Sequence, residues 1–181
     1  MANCIKLNQV YTNICKTVPG ISEIFLANQG DISKVFYSTD NSMVSGFTFT
    51  GTGTTYFYKI IPPKNQAQLM DDDPVDMGAG TYKFIPKLTF PLNTLNINVW
   101  TMYTQLVMGG NFTAVVKYNN GDWFCAAPVN GLTTNGNQSF GSDPATKIGA
   151  TIAMEGLEPY PIQRLSTDLS NAFESTYVVS I

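Results

Sequence analysis

The chain has 181 residues and a net charge of −3, and only 13% of its residues are charged. This length suits one domain whose core needs no disulfide or metal for stability. The lysines are scattered and Arg164 is the single arginine. This argues against a nucleic-acid-binding surface, because such surfaces need clustered cations to replace the counterions of phosphate.

Short polar residues take the place of the missing charges. Asn, Thr, Ser and Gly are frequent, which suits either a chain covered by copies of itself or a β-rich domain with many turns. Cys4, Cys15 and Cys125 have no framework spacing and indicate a reducing compartment, although a Cys4–Cys15 bridge stays open. The sequence shows no signal peptide and no apolar run of about 20 residues, so we expect no membrane partner.

The first half of the chain predicts β-strands separated by turns. Four segments have strand-like patterns: the first two show a mixed alternation that suggests one buried and one partly covered face, and the last two repeat with a period of two. The turn Gln29-Gly30-Asp31 predicts that the first two segments pair as a hairpin, and Gly51-Thr52-Gly53 links the last two. The four segments are Ile21–Ala27, Ile32–Tyr37, the stretch that contains Phe47 and Phe49, and Tyr56–Ile61.

Two polar loops match known ligand sites only in part. The Gly-Thr-Gly-Thr segment at residues 51–54 lacks the Gly-Lys-[Ser/Thr] ending of a phosphate loop. Asp71, Asp72, Asp73 and Asp76 supply the hard oxygen ligands that calcium prefers. Their spacing has neither the glycine at the sixth position nor the distal glutamate of an EF-hand. A solvated acidic loop is therefore the favoured interpretation.

The middle of the chain predicts one strand and one helix. Gly80–Leu92 is strand-like, and Pro86 and Pro91 indicate a sheet edge or a bulge, because proline cannot donate to a ladder. Residues 93–109 predict an α-helix with apolar residues at helical spacing: Leu95, Val99, Met102, Tyr103 and Leu106. Its opposite face is uncharged, which predicts contact with a neighbouring subunit or, alternatively, an ordinary polar surface. That face carries Asn96, Asn98, Thr101, Thr104 and Gln105.

The last third of the chain predicts the other half of a sheet and a tail. Asn119-Asn120-Gly121 favours a tight hairpin turn between two apolar runs, because these residues tolerate positive φ. Residues 129–144 predict a polar loop, and Lys147–Met154 the last core strand. We expect a β-domain over residues 1–158. An extension over residues 159–181, with an apolar end, should pack on this domain or on a neighbouring subunit.

No group of residues predicts catalysis. Without histidine there is no histidine-based triad, general base or zinc site. Cys125 lies in an apolar strand and is expected to be a buried, inert thiol. Glu155 and Glu158 are interpreted as paired surface charges, and Trp100 and Trp123 as core or interface residues. We therefore expect that the protein is not an enzyme, that it binds no cofactor, and that it has no catalytic or metal-binding residue.

Two stretches resemble virion structural proteins of phages that infect gut Bacteroidetes, including crAss-like phages. In the first, AVVKYNNGDWFCAAPVNGL leads through a Gly- and Thr-rich loop to a strand followed by GLEP. In the second, PGISEIFLANQGDISKV resembles the first hairpin of the same proteins. The helix also lies in the matching place. The resemblance covers most of residues 19–158 and is a pattern of strands and turns rather than a catalytic signature.

The resemblance implies a fold similar to that of tail-tube proteins, a β-sandwich or partial barrel with one flanking helix. It implies a structural subunit of a phage tail or neck, in a virion assembled in the bacterial cytoplasm. Copies would form homo-oligomeric rings that contact adjacent tail, neck or portal proteins, and DNA would pass through the channel without specific binding. Asn119 stands where those proteins have Asp, and the tail after Pro159 differs. The choice between a tube subunit and a connector or terminator ring therefore stays open.

The predicted contacts between subunits combine the uncharged helix face, the Gly- and Thr-rich segment and the apolar C-terminus. They are Phe47, Phe49, Asn98, Thr101, Gln105, Tyr177, Val178 and Val179. The alternative function is a carbohydrate- or surface-binding module of a fibre or adhesin. In that case Tyr56, Tyr58 and Trp123 would form an exposed aromatic platform.

Overall fold

β-Strands make up most of the described chain, as the sequence predicts. The computed structural model describes residues 20–40, 42–50, 57–72, 75–76, 81–92, 97–139, 149–166 and 179–180. The strands are β1 (Ile21–Asn28), β2 (Ile32–Tyr37), β3 (Met43–Phe49), β4 (Tyr58–Ile60), β5 (Gln68–Asp72), β6 (Val75–Asp76), β7 (Thr81–Tyr82), β8 (Ile85–Leu92), β9 (Phe112–Tyr118), β10 (Trp123–Ala126), β11 (Thr133–Ser139), β12 (Gly149–Glu155), β13 (Gln163–Leu165) and β14 (Val179–Ser180). Within these residues α1 (Ile97–Met108) is the one α-helix, inside the predicted range of 93–109.

The strands form two main sheets and a small ribbon. The larger sheet has the order β14-β4-β1-β9-β10-β13-β3-β2, and the smaller has the order β11-β12-β8-β5. The ribbon is β6 paired with β7. Among the described strands, the two ends of the larger sheet do not pair with each other. The fold is therefore sandwich-like, with one helix, and its described strands form no closed barrel.

The hairpin prediction is confirmed for one pair of strands and wrong for another. β9 and β10 pair as predicted, and Gly121 in their turn has a φ of 88°, a conformation that glycine adopts without strain. A 3₁₀ turn at Gln29–Asp31 separates β1 from β2, and the two strands do not pair with each other. β1 instead lies between β4 and β9, and β2 pairs with β3 at the edge of the sheet. A strand that is apolar on both faces belongs in the interior of a sheet.

One predicted loop is a strand. Residues 129–144 were expected to form a polar loop, but β11 pairs along its whole length with β12. β12 itself confirms the predicted strand at Lys147–Met154 within a residue or two at each end. β11 is rich in Asn, Thr and Gly, so its strand conformation comes from the ladder with β12 rather than from intrinsic propensity.

The sandwich core lies between the two sheets and is closed on one side by α1. Alternate residues of β8 and β12 face it, which matches the period of two along these strands. Leu88, Phe90 and Ile152 are fully buried there. Met102 and Leu106 of α1 extend the same core, so the helix serves as part of the second layer.

A second hydrophobic cluster, which includes Trp123 and Cys125 and which we call the curl core, lies on the opposite face of the larger sheet. β3 and β4 are five positions apart in that sheet, about 24 Å in a flat sheet with strands about 4.8 Å apart. Yet the ring of Phe57, directly before β4, lies 5.9 Å from the ring of Phe47 and 5.7 Å from that of Phe49. The sheet must therefore curl strongly. The curl core lies inside this curl.

The chain beyond residue 158 is part of the larger sheet, so the predicted boundary at that residue separates no independent unit. β13 pairs with β10 on one side and with β3 on the other, and its Gln163 and Leu165 are buried. Without this strand the sheet would divide into two pieces. β14 pairs in parallel with β4, so the described parts of the extension pack on this domain.

The two prolines of β8 lie in a central strand, where we expected a sheet edge or a bulge. Each falls just beyond the end of one neighbouring strand. Pairing with β12 reaches Lys87, one residue after Pro86, and pairing with β5 reaches Thr89, two residues before Pro91. Each proline therefore has one side without a described ladder, which is where its missing N–H is tolerated.

Candidate interaction surface

The inner side of α1 is fixed between the two sheets. Met102, Tyr103 and Leu106 are buried, as their spacing predicts, while Leu95 lies outside the described residues. On the other flank, a Cβ at Gly136 would lie 2.6 Å from the hydroxyl of Tyr103 and 2.8 Å from Cγ2 of Val107. Glycine at this position of β11 therefore allows the helix to lie directly on the strand.

The outward side of α1 is largely apolar. It is formed by Ile97, Trp100, Thr101, Thr104 and Met108, which we call the α1 face. Ile97 is 81% exposed and Met108 80%, while Trp100 is 42% exposed and stacks on Tyr103 at 6.2 Å between ring centroids. Large apolar side chains at this exposure, on one face of one helix, are typical of a surface that another molecule covers.

The threonines of the α1 face use their hydroxyls inside the helix. The Thr101 hydroxyl donates to the carbonyl of Ile97 at 2.9 Å, and the Thr104 hydroxyl donates to the carbonyl of Trp100 at 3.0 Å. These bonds satisfy the threonine hydroxyls within the helix. Thr101 and Thr104 belong to the face that the sequence indicated as polar and uncharged, and the same helix exposes the large apolar side chains of the α1 face.

The chain around the α1 face carries no charge over a long stretch. No Asp, Glu, Lys or Arg occurs between Lys87 and Lys117. A helix exposed to solvent normally carries such residues on its outer face. Ile97, Trp100 and Met108 recur at helical spacing, so this signal was present in the sequence, but the polar residues between them concealed it.

The predicted subunit contacts divide into three groups. Thr101 and Gln105 lie exposed on α1, and Asn98 belongs to the same helix. Phe47 is only 4% exposed, so its side chain packs inside the subunit and offers no surface to a neighbour. The third group holds the remaining predicted contacts: Phe49 is half-buried against Phe57, Val179 belongs to β14, and Tyr177 and Val178 lie outside the described residues.

A second group of residues, which the sequence did not reveal, surrounds a buried carboxylate. Glu158 was expected at the surface beside Glu155, but it is 2% exposed. Its Oε1 accepts the backbone N–H groups of Asn130 at 2.7 Å and Gly131 at 3.1 Å, and its Oε2 accepts that of Val129 at 3.3 Å. We call these four residues the Glu158 cluster. No sequence pattern distinguishes this glutamate from an exposed one.

The same turn is held from the other side by Gln29. Its Nε2 donates to the carbonyls of Pro128 at 3.1 Å and Val129 at 2.8 Å. The hydroxyl of the buried Thr113 lies 3.2 Å from the carbonyl of Ala127 and also contacts the side-chain oxygen of Gln29. Ala127 has a φ of 52°, which a residue other than glycine adopts only when its surroundings impose it. The turn is thus fixed by side chains that are distant in sequence.

Burial governs the titration of the groups near this turn. It raises the pKa of Glu158, while the three backbone N–H donors partly oppose that rise. Burial also raises the pKa of the Cys125 thiol, with a further rise from Glu158. The pKa of Tyr37 rises to about 12, first because of burial and then because of Cys125, Glu158 and Tyr160. A fully buried thiol held protonated is a poor nucleophile, in line with the expected inert Cys125.

The acidic segment is part of a strand rather than a solvated loop where the structure describes it. Asp71 and Asp72 lie on β5. Asp71 Oδ2 accepts the backbone N–H of Ile162 at 2.8 Å, and Asp72 pairs with Lys87 at 2.5 Å. Asp76 belongs to β6, and Asp73 lies outside the described residues. In the described part of the chain, no group of three or more Cys, Asp or Glu side chains is placed to hold a metal ion.

The aromatic platform of the alternative function is not assembled by the residues that the structure describes. Trp123 is 9% exposed and packs on Phe25, with ring centroids 5.4 Å apart in the curl core. Tyr58 is exposed, and Tyr56 lies outside the described residues. Trp123 therefore contributes to the core and not to an exposed aromatic surface.

Comparison with protein-family models, with curated proteins and with solved structures found no match. Across the described residues, no helix is both long enough and apolar enough to cross a membrane.

Proposed function

We propose that this chain is a structural, non-catalytic subunit of a bacteriophage tail or neck, which assembles with copies of itself into a ring around a DNA channel. The observation that carries the proposal is the α1 face, an uncharged helix surface with Ile97 and Met108 exposed by 81% and 80%. Burying one such side chain contributes roughly 1.5–3 kcal/mol. A ring repeats that gain at every contact.

Two further features support a ring of identical subunits. The mainly β fold with one flanking helix agrees with the architecture that the sequence resemblance implies. The chain is also poor in charge throughout, and cores of subunit interfaces are depleted in charged residues. A net charge of −3 also disfavours adhesion of DNA to the channel.

The first test is the mass of the purified chain in solution. Size-exclusion chromatography with light scattering, followed by negative-stain electron microscopy, should show a closed ring at micromolar concentration. The double substitution Ile97→Lys and Met108→Lys should give a folded monomer, because two exposed cations cannot be buried without a partner. Met70→Lys, at a 44% exposed methionine on β5, is the matched control and should still assemble.

The second test concerns the place of the ring in the virion. An antibody against the chain should label the tail or the neck of purified phage particles. A chain that stays monomeric at every concentration, or particles without label at tail and neck, would contradict the proposal.

A further inference from the structure

A pocket of about 270 Å³ lies beside the C-terminal half of α1. Residues from β1, β4, α1 and the start of β9 line it; most are apolar, and Asn28, Tyr58 and Gln105 contribute uncharged polar groups. None of the described residues that line this pocket carries a charge.

The size and chemistry of this pocket suit one large apolar side chain. Engineered cavities of about 150 Å³ already bind benzene, so this volume holds an aliphatic or aromatic side chain with room to spare. A charged group placed there would lose its hydration without gaining a partner of opposite charge among the described lining residues. The occupant should therefore be apolar and uncharged.

The same helix presents such side chains at its other end. Ile97, at the first position of α1, is 81% exposed, and Trp100 lies one turn further along. Gln105 at the pocket lies eight residues after Ile97, about 12 Å along the helix axis at 1.5 Å per residue. One helix thus carries an apolar projection at its N-terminal end and an apolar pocket beside its C-terminal half.

We propose that Ile97 of one copy, supported by Trp100, inserts into the pocket of the next copy. The inference rests on the proposed function, because it names the contact through which the ring would form. A projection that fits a different patch on the neighbour gives a head-to-tail interface, and rings close through such interfaces. A face-to-face contact of two identical patches would stop at a dimer. The polarity of the ring then follows from the direction of α1.

The test uses two variants that each remove one half of the contact. Ile97→Glu places a charge on the projection and leaves the pocket intact. Gln105→Glu places a charge at the pocket and leaves the projection intact. Gln105 is exposed, so its substitution should not disturb folding, which circular dichroism and urea denaturation will check.

Each variant alone should be monomeric, because its own altered half prevents every head-to-tail contact. Mixing the two should give a one-to-one heterodimer in native mass spectrometry, a twofold increase in mass. In that heterodimer the intact Ile97 of one variant occupies the intact pocket of the other. The second contact would set Glu against Glu, so the pair cannot extend into a ring.

Several outcomes would overturn the inference. Either variant forming rings of wild-type size would show that this contact is not used, while the proposed ring function would stand. A mixture that regains full rings would contradict the inference, because a Glu at position 97 would then have to occupy a pocket that carries a Glu at position 105. A small apolar molecule that copurifies with the wild type and is lost in the Gln105→Glu variant, with assembly unchanged, would make the pocket a ligand site. A monomeric wild type would instead contradict the proposed function itself.

Discussion

The α1 face and the Glu158 cluster treat polar groups in opposite ways. On the α1 face, the hydroxyls of Thr101 and Thr104 bond to the helix backbone and large apolar side chains face solvent. In the Glu158 cluster, a carboxylate is buried and accepts three backbone N–H groups. Burial of the α1 face would therefore stabilise a contact with a partner, whereas the hydrogen bonds of the Glu158 cluster stabilise the fold of the subunit itself.

The two regions should respond to different substitutions. Substitutions in the Glu158 cluster should lower the free energy of unfolding, because they leave buried donors without acceptors. Substitutions on the α1 face should weaken assembly and leave folding nearly unchanged, because the side chains already lie in water in the free subunit.

Replacing Glu158 by leucine should have the largest effect. It removes the acceptor of three backbone N–H groups, and each buried unsatisfied donor costs about 1–3 kcal/mol. We expect a loss of about 3 kcal/mol or more in the free energy of unfolding, measured by urea denaturation. Glu155→Leu, at an exposed residue of β12, should change it by less than about 0.5 kcal/mol. If Glu158→Leu lowers the free energy of unfolding by less than about 1 kcal/mol, water must accept the hydrogen bonds of the three backbone N–H groups in its place.

Replacing Gly136 by alanine should have the second largest effect. The new methyl group would lie within 2.8 Å of Tyr103 and Val107, so α1 must move away from β11. Overpacking of this kind costs about 1–3 kcal/mol in the free energy of unfolding. Gly30→Ala is the matched control, because a Cβ there meets nothing within 4 Å. Equal stability of the two variants would show that the helix is not held closely on the strand.

The pH dependence of stability should reveal the buried carboxylate. The pKa of Glu158 is raised in the folded state, so the folded chain binds its proton more readily than the unfolded chain. As pH falls from neutral through that raised pKa towards 4.5, the wild type should gain stability relative to Glu158→Gln. Below both pKa values the difference should be constant. Asp40, whose pKa is lowered to about 2, is present in both proteins and cancels.

Urea denaturation of the two proteins between pH 7 and pH 4 measures this difference. A wild type that loses stability relative to the variant over this range would show that the three N–H donors outweigh burial.

Replacing Ile97 by serine should change the free energy of unfolding least, by less than about 0.5 kcal/mol. Assembly should weaken, because a buried isoleucine contributes about 1.5–3 kcal/mol to a contact, or about tenfold or more in the dissociation constant. Sedimentation velocity on a dilution series measures this change. Met70→Ser, at an exposed methionine of β5, is the control. Its assembly should dissociate at the same protein concentration as that of the wild type. Equal dissociation of both variants would place the interface elsewhere.

Local signals in the sequence were sufficient where a structure depends on neighbouring residues. The turn between β9 and β10 follows from Asn-Asn-Gly, because glycine accepts positive φ at little cost. α1 follows from apolar residues at helical spacing, which predicted the buried Met102, Tyr103 and Leu106. The uncharged character of the α1 face was equally visible.

Local signals failed where pairing partners are distant in the sequence. The turn after β1 predicted pairing with β2, but β1 pairs with β4 and β9. β11 has the composition of a loop and becomes a strand because β12 offers a ladder. β13 lies in the stretch predicted as an extension of the domain, and it completes the larger sheet between β10 and β3.

Three properties of this protein could be predicted from the sequence: a mainly β fold with a flanking helix, the exclusion of any site that needs histidine, and a surface poor in charge. These properties follow from composition and short-range periodicity. Three other properties could be seen only in the folded chain: Glu158 is buried, Phe47 and Trp123 belong to the curl core, and a pocket lies beside α1. Burial depends on which strands meet across the sheet, and each pairing is a balance of many weak contacts over long sequence separations.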